Sequence, residues 1–250
     1  MTISAKNAQD LTSPWTHWFL YGDSGSGKTT NASTFPRPLF IVPQNESSIT
    51  TLRGRDIPYY EAIDISSPVV GGVGGMLSIL SEIEQAYDAG PDEFPYDTLV
   101  IESISHYADL AIEEMTRGGD LQMDQQKWGR FGSHFRNLQT RLRRLDCNVI
   151  FTALAKSSDG ASDDETGKRV KDVMGMPMIQ GQTSIKLPSA CDVIGYCEEY
   201  RINPKDTRYR IHFRKFKQFP ARSRFKRIPP VIEDFAFSKV EPFLAPDETE

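Results

Sequence analysis

Cysteine is scarce in this chain. Its 250 residues contain three, Cys147, Cys191 and Cys197, none of them in a C-x-x-C pair. That spacing excludes a disulfide framework and a thiolate zinc site as organising principles, and leaves the three thiols as reduced packing residues. Long hydrophobic runs are also missing. No apolar stretch approaches the length needed to cross a bilayer, and the opening "MTISAKNAQD" lacks the apolar core of a secretory leader, so a cytoplasmic location is expected. The sequence has no overall positive excess either. A net charge of −5 argues against a general polyanion binder, although the charge is unevenly spread. Eleven Lys or Arg residues lie between Arg201 and Arg227 against one acid, Asp206, whereas the stretch from Glu233 to Glu250 holds six acids and one lysine. The basic run by itself fits a solvated sheet edge as readily as a binding surface.

The most informative segment is "WFLYGDSGSGKTTN", residues 18–31. Trp18 to Tyr21 form an aromatic, apolar run typical of a buried strand, and the glycines begin where that run stops. Gly22-Asp23-Ser24-Gly25-Ser26-Gly27-Lys28-Thr29 matches G-x-x-x-x-G-K-[ST] at every position, and Thr30 continues into an expected helix. Glycine-rich backbone lets successive N–H groups point at phosphate oxygens. Lys28 adds a cation toward the β and γ phosphates, Thr29 offers a hydroxyl to Mg²⁺, and the helix start turns its positive end to the anion. The expected ligands are ATP and Mg²⁺.

Beyond this loop the sequence alternates strands and helices. "PLFIV" (38–42) reads as a second buried strand and "PYYEAID" (58–64) as a weaker third. "SSPVVGGVGG" is a glycine-rich loop, and the "MLSILSEIEQAYDAG" that follows has helical spacing with a glycine stop. In "YDTLVIES" (96–103), Leu99, Val100 and Ile101 form a buried strand that delivers the Glu102 carboxylate to its C-terminal end, where a Walker-B acid orders the waters of Mg²⁺. Gln125 to Leu145 predicts a long amphipathic helix, with Trp128, Phe131, Phe135, Leu138, Leu142 and Leu145 as its core stripe. "CNVIFTALA" is a further buried strand. Residues 157–182 form a long loop or loose hairpin, and "CDVIGYCEEYRI" and "TRYRIHFRKFKQF" alternate as antiparallel strands at the far edge. One α/β domain with a mostly parallel sheet flanked by helices accounts for this order. Its expected boundaries are an N-terminal extension (1–14), a core (15–228) and an acidic C-terminal tail (229–250).

Taken together, the phosphate loop, the strand leading to Glu46, and "LVIES" resemble the RecA-like P-loop ATPases, and most closely the phage-encoded group that includes single-strand-annealing recombinases. The resemblance covers about residues 15–228. In that family the strand after the phosphate loop ends in a catalytic glutamate followed six residues later by leucine, which Glu46 and Leu52 match. A basic K-x-R pair closes the core, matched by Arg222 and Arg224 in "FPARSRF". The family's usual Asp at the Walker-B position is Glu102 here, and its usual Gly after the catalytic glutamate is replaced by Ser47 and Ser48. Slow hydrolysis is consistent with these departures.

The resemblance implies a RecA-like core and an Mg²⁺-dependent ATPase of DNA recombination that binds single-stranded DNA as a homo-oligomer or filament. Glu46 would serve as general base and Glu102 would order the metal's waters. Arg222 and Arg224 would reach a neighbour's phosphates as arginine fingers. The DNA-facing loops would be residues 117–127 and the region of Lys168, Arg169 and Lys171, although neither has an aromatic stacking platform near its centre. A rival reading is a nucleotide-gated adaptor or loader that uses the acidic tail to hold a replication or recombination protein. A small-molecule kinase is a third, disfavoured because the long loop is not arginine-rich.

Overall fold

The computed structural model describes residues 14–43, 46–62, 75–156, 175–203 and 206–245. The glycine-rich loop before Gly75 and the cations Lys168, Arg169 and Lys171 lie outside these ranges, as does the N-terminal extension up to residue 13.

Strand β1 (His17–Gly22) is buried along its whole length, as its aromatic run predicts. It is flanked in parallel by β5 (Asn148–Lys156) and β7 (Val193–Asn203). On the far side of β5 come β4 (Thr98–Ile101), β2 (Pro38–Pro43) and β3 (Tyr59–Ala62), all parallel. The other flank is antiparallel, with β8 (Asp206–His212) against β7 and β10 (Val231–Glu233) against β8. The resulting order is β10-β8-β7-β1-β5-β4-β2-β3. Two short pieces complete the sheet: β6 (Met176–Pro177) folds back on the end of β5, and β9 (Arg222–Ser223) on the start of β7.

Helices cover both faces. Helices α2 (Met76–Ala89), α3 (Ile104–Thr116), α4 (Gln125–Leu142) and α5 (Thr183–Ser189) line one face. There Phe131, Phe135, Leu138 and Leu142 of α4 meet Phe19, Leu99 and Phe151 from the strands. Opposite them, α1 (Lys28–Ala32) and the C-terminal segment pack on Trp18, Leu20, Phe40 and Val100. The strands alternate between these two cores, so each central strand is apolar on both sides. Cys147, Cys191 and Cys197 are buried free thiols, and burial pushes each up to about 12. Among the described residues no helix is long and apolar enough to cross a membrane.

Four expectations change. The first concerns β7, which was expected as an antiparallel edge strand but lies inside the sheet parallel to β1; antiparallel pairing begins only at β8. Secondly, Trp128 is not core: it is 37% exposed, in the first turn of α4, whereas Phe131, Phe135, Leu138 and Leu142 further along the stripe are buried. Thirdly, α3 and α5 were not anticipated, and the second half of the expected long loop holds β6, with α5 following directly after it. Finally, the segment from 229 is not a tail through residue 245. There β10 pairs with β8, and Ile232, Phe235, Phe237 and Val240 enter the core.

Phe235 makes that last point testable, since its ring lies 6.1 Å from Phe35, 6.2 Å from Phe213 and 6.3 Å from Trp18. Phe235→Ala should destabilise the protein by about 3 kcal/mol in urea denaturation. A dangling tail would tolerate the change within about 0.5 kcal/mol.

Candidate active site

Parallel strands end on a common edge, and β1, β2 and β4 bring their C-termini together there. The loop after β1 is tightly constrained. Gly25 and Gly27 take φ of 82° and 83°, the left-handed region that favours glycine. Gly22 is required for a different reason than the backbone freedom expected of it. A Cβ there would lie 2.2 Å from the Cys197 carbonyl oxygen of β7 and 2.6 Å from Ser26 Oγ. Asp23, Ser24 and Gly25 are exposed at the loop's crest, while Ser26, Lys28 and Thr29 are buried and Thr30 is half-buried in α1.

The Lys28 ammonium folds into the loop, donating to the carbonyls of Gly22 at 3.0 Å and Asp23 at 2.7 Å. Burial lowers its proton affinity, and the nearby Cys197, Glu102, Asp23 and Glu46 act in the opposite direction. One amine therefore lies within electrostatic reach of both candidate acids. Glu102 follows β4, where its backbone N–H donates to the Ile41 carbonyl of β2 at 3.0 Å. Its side chain is 1% exposed. Thr29 Oγ1 donates to Glu102 Oε1 at 3.0 Å, whereas Glu102 Oε2 is buried with no hydrogen-bond partner. Burial raises the carboxyl's pKa against the opposing influence of Thr152, Thr29, Lys28 and Ser48.

Glu46 lies just beyond β2. Its Oε1 accepts from the Ser48 N–H at 3.1 Å, and its Oε2 lies 3.2 Å from Nδ1 of His106 in the first turn of α3. That histidine was missed in sequence. Its one signal is its place four residues after Glu102, which puts it at the start of the helix leaving the Walker-B strand. A second missed residue is Tyr209 on β8. A Cβ on Gly27 would lie 3.4 Å from its ring, so the β7–β8 hairpin overlooks the phosphate loop. Nothing in the local spacing signals that contact.

A comparison with family models gives the AAA domain family AAA_24 over residues 16–225. This range includes the phosphate loop, Glu46, Glu102 and the Arg222/Arg224 pair, and covers well over half of the chain. The chain belongs to this family. A comparison with curated proteins gives no match. Among solved structures, the KaiC-like protein PH0186 from the hyperthermophilic archaeon Pyrococcus horikoshii OT3 is similar at 16% identity, covering 87% of this chain and 88% of that one with a TM-score of 0.46. The family match makes the chain a nucleotide-binding P-loop ATPase unit, built on the mostly parallel α/β sheet described above.

The two arginines stand apart from this cluster. Ile194, which pairs with Arg222 in β9, lies near the start of β7, while the phosphate loop faces its later residues. Arg222 donates to the carbonyls of Ser189 at 2.6 Å and Cys191 at 3.0 Å, satisfying the end of α5, and Arg224 lies 3.4 Å from Asp192. Neither serves the phosphate loop of its own chain.

Burying Glu102 has a stability consequence. The unfolded chain ionises this group in the ordinary carboxylate range, while the folded chain holds the proton to higher pH. The associated stability is present below that range and is lost as pH rises through the raised folded value. In nucleotide-free, chelator-treated protein, the stability of Glu102→Gln relative to wild type should therefore increase from about pH 4 toward pH 7. Urea denaturation across that interval reads the difference, and a pH-independent gap would exclude the buried carboxyl as its source.

Proposed function

We propose that this AAA-domain protein is an Mg²⁺-dependent ATPase that works as a homo-oligomer on single-stranded DNA in phage recombination. The observation that carries the ATPase part is the buried Glu102 carboxylate, one oxygen bonded to Thr29 and the other without a partner. An orphaned buried carboxylate oxygen beside a threonine hydroxyl is the hard-oxygen donor set that Mg²⁺ takes, through water or directly. Bound there, the ion would supply charge neutralisation to the phosphates.

The chain's own residues divide the remaining work. Lys28 exchanges the Gly22 and Asp23 carbonyls for phosphate oxygens, and the backbone of residues 22–29 cradles the anion. Glu46 accepts the proton of the attacking water. His106 holds the Glu46 carboxylate in one orientation, as a positioning residue. Tyr209 borders the loop from the hairpin side. Arg222 and Arg224 act on a neighbour's phosphates, a reading supported by their separation from their own loop. Assembly would require them to exchange their carbonyl and Asp192 partners. The recombination setting and the single strand follow the motif resemblance.

The test is ATP turnover by variants, alone and mixed. Glu46→Gln should bind ATP normally and lose turnover by about a hundredfold or more. His106→Ala should lower kcat less while leaving nucleotide affinity unchanged. Arg222→Ala/Arg224→Ala should bind ATP and lose both turnover and ATP-dependent assembly. Mixing it with Glu46→Gln should restore part of the activity, because some interfaces then join an intact Glu46 to intact arginines. Folded, co-assembling variants that never complement would refute the shared site and leave the arginines as caps of α5.

A further inference from the structure

Helices α4 and α5 enclose a groove of about 1170 Å³ on the sheet face that carries α2 and α3. None of its lining residues is placed in the ATPase machinery above, although Arg222 meets its end through the Ser189 carbonyl. Its volume exceeds the range of about 300–1,000 Å³ common for small-ligand pockets, which suits a segment of polymer better than a metabolite.

Its lining is chemically selective. Arg130, Arg136 and Lys186 contribute three cations, and no acid lines it among the described residues, in a chain whose net charge is −5. Trp128 stands at its edge, 37% exposed. The ring is held from behind: it meets Phe131 edge-on at 5.7 Å, and a Cβ on Gly181 (φ 64°) would lie 3.4 Å from it. An indole packed against Phe131 and Gly181 and still 37% exposed can stack a base. The glycines add an independent observation. Gly129 and Gly132 lie inside α4, where glycine weakens a helix. A Cβ at Gly129 would meet nothing within 4 Å, and one at Gly132 only Arg136 Nη1 at 4.0 Å. The chain's own packing requires glycine at neither position. Their effect is to leave helix backbone open to close approach from the groove.

Cations along a channel, an aromatic platform and accessible backbone are the combination that holds single strands without sequence preference. We infer that the α4–α5 groove, with Trp128 stacking a base and Arg130 and Lys186 meeting phosphates, is the single-stranded DNA surface of this protein. It is a surface distinct from the loops expected for that role, of which residues 117–127 reach α4 only with their last few and the region of Lys168, Arg169 and Lys171 lies outside the described residues. The inference builds on the single-strand reading proposed above.

The experiment is fluorescence anisotropy of fluorescein-labelled dT20 with the full chain, ATP and Mg²⁺, in a salt series. Trp128→Ala should weaken binding by about fivefold to a hundredfold, the worth of one stacked base, while Trp128→Phe retains most of it. Arg130→Ala/Lys186→Ala should reduce the slope of log affinity against log salt by about 1.4, two contacts at about 0.7 each. ATP affinity should be unchanged in all three. Tight dT20 binding that none of the variants alters would overturn the groove assignment and leave the single-strand reading intact. No dT20 binding by wild type would overturn both. Wild-type binding of a poly-glutamate peptide that dT20 cannot displace would assign the groove to an acidic protein partner instead.

Discussion

The hydrogen bond from Thr29 to Glu102, 3.0 Å long and buried, ties the two halves of the site together. Thr29 belongs to the helix leaving β1, Glu102 to the end of β4, and β5 lies between those strands. The bond forms only if the parallel register holds: Phe19 and Ile101 both pair with Phe151 on β5, which brings the ends of β1 and β4 to the same level. Apolar burial on both faces sets that register. The carboxylate is therefore positioned by the sheet, among the hydroxyls of Thr29, Thr152 and Ser48, with one oxygen making no hydrogen bond. Such a group is unfavourable for folding by itself. On the proposed reading of Glu102 as a group that orders a cation's waters, a ligand that satisfied this oxygen would stabilise the fold by mass action.

The parts of the fold legible in sequence were those written in local chemistry. β1, β2, β4 and β5 show as apolar runs because both their faces are covered, and α2 and α4 show as helical spacing with a polar face. The phosphate loop is legible because glycine spacing is a direct record of backbone conformation at Gly25 and Gly27. Gly22 shows the limit of that inference. Its motif position was read correctly, yet the physical demand comes from the Cys197 carbonyl 175 residues later, a contact no local pattern records. β7 was misread as an edge strand because its outer half alternates and is exposed, while its inner half is continuous and buried against β1. His106 and Tyr209 escaped notice for the same reason as the Gly22 contact: each meets the site through tertiary placement.

Charge density along the chain was a still poorer guide than polarity. The basic run from Arg201 to Arg227 is largely answered by the protein itself. Arg208 meets Asp206 at 2.9 Å, Arg210 meets Glu198 at 2.7 Å, Arg224 approaches Asp192, and Arg222 is bound to two carbonyls. Exposed pairs of this kind add little stability, but they do reduce the field that the run presents outward. Arg130, Arg136 and Lys186 form no run at all. Two are a turn and a half apart on α4, and the third comes from α5, some fifty residues on; the packing of the two helices is what brings them into one groove. A single strand responds to the potential of a surface, in which cations count only with the acids around them. The segment that looks most basic in sequence is thus partly neutralised by its own neighbours, whereas the groove, inconspicuous in sequence, gathers three cations with no acid in its described lining.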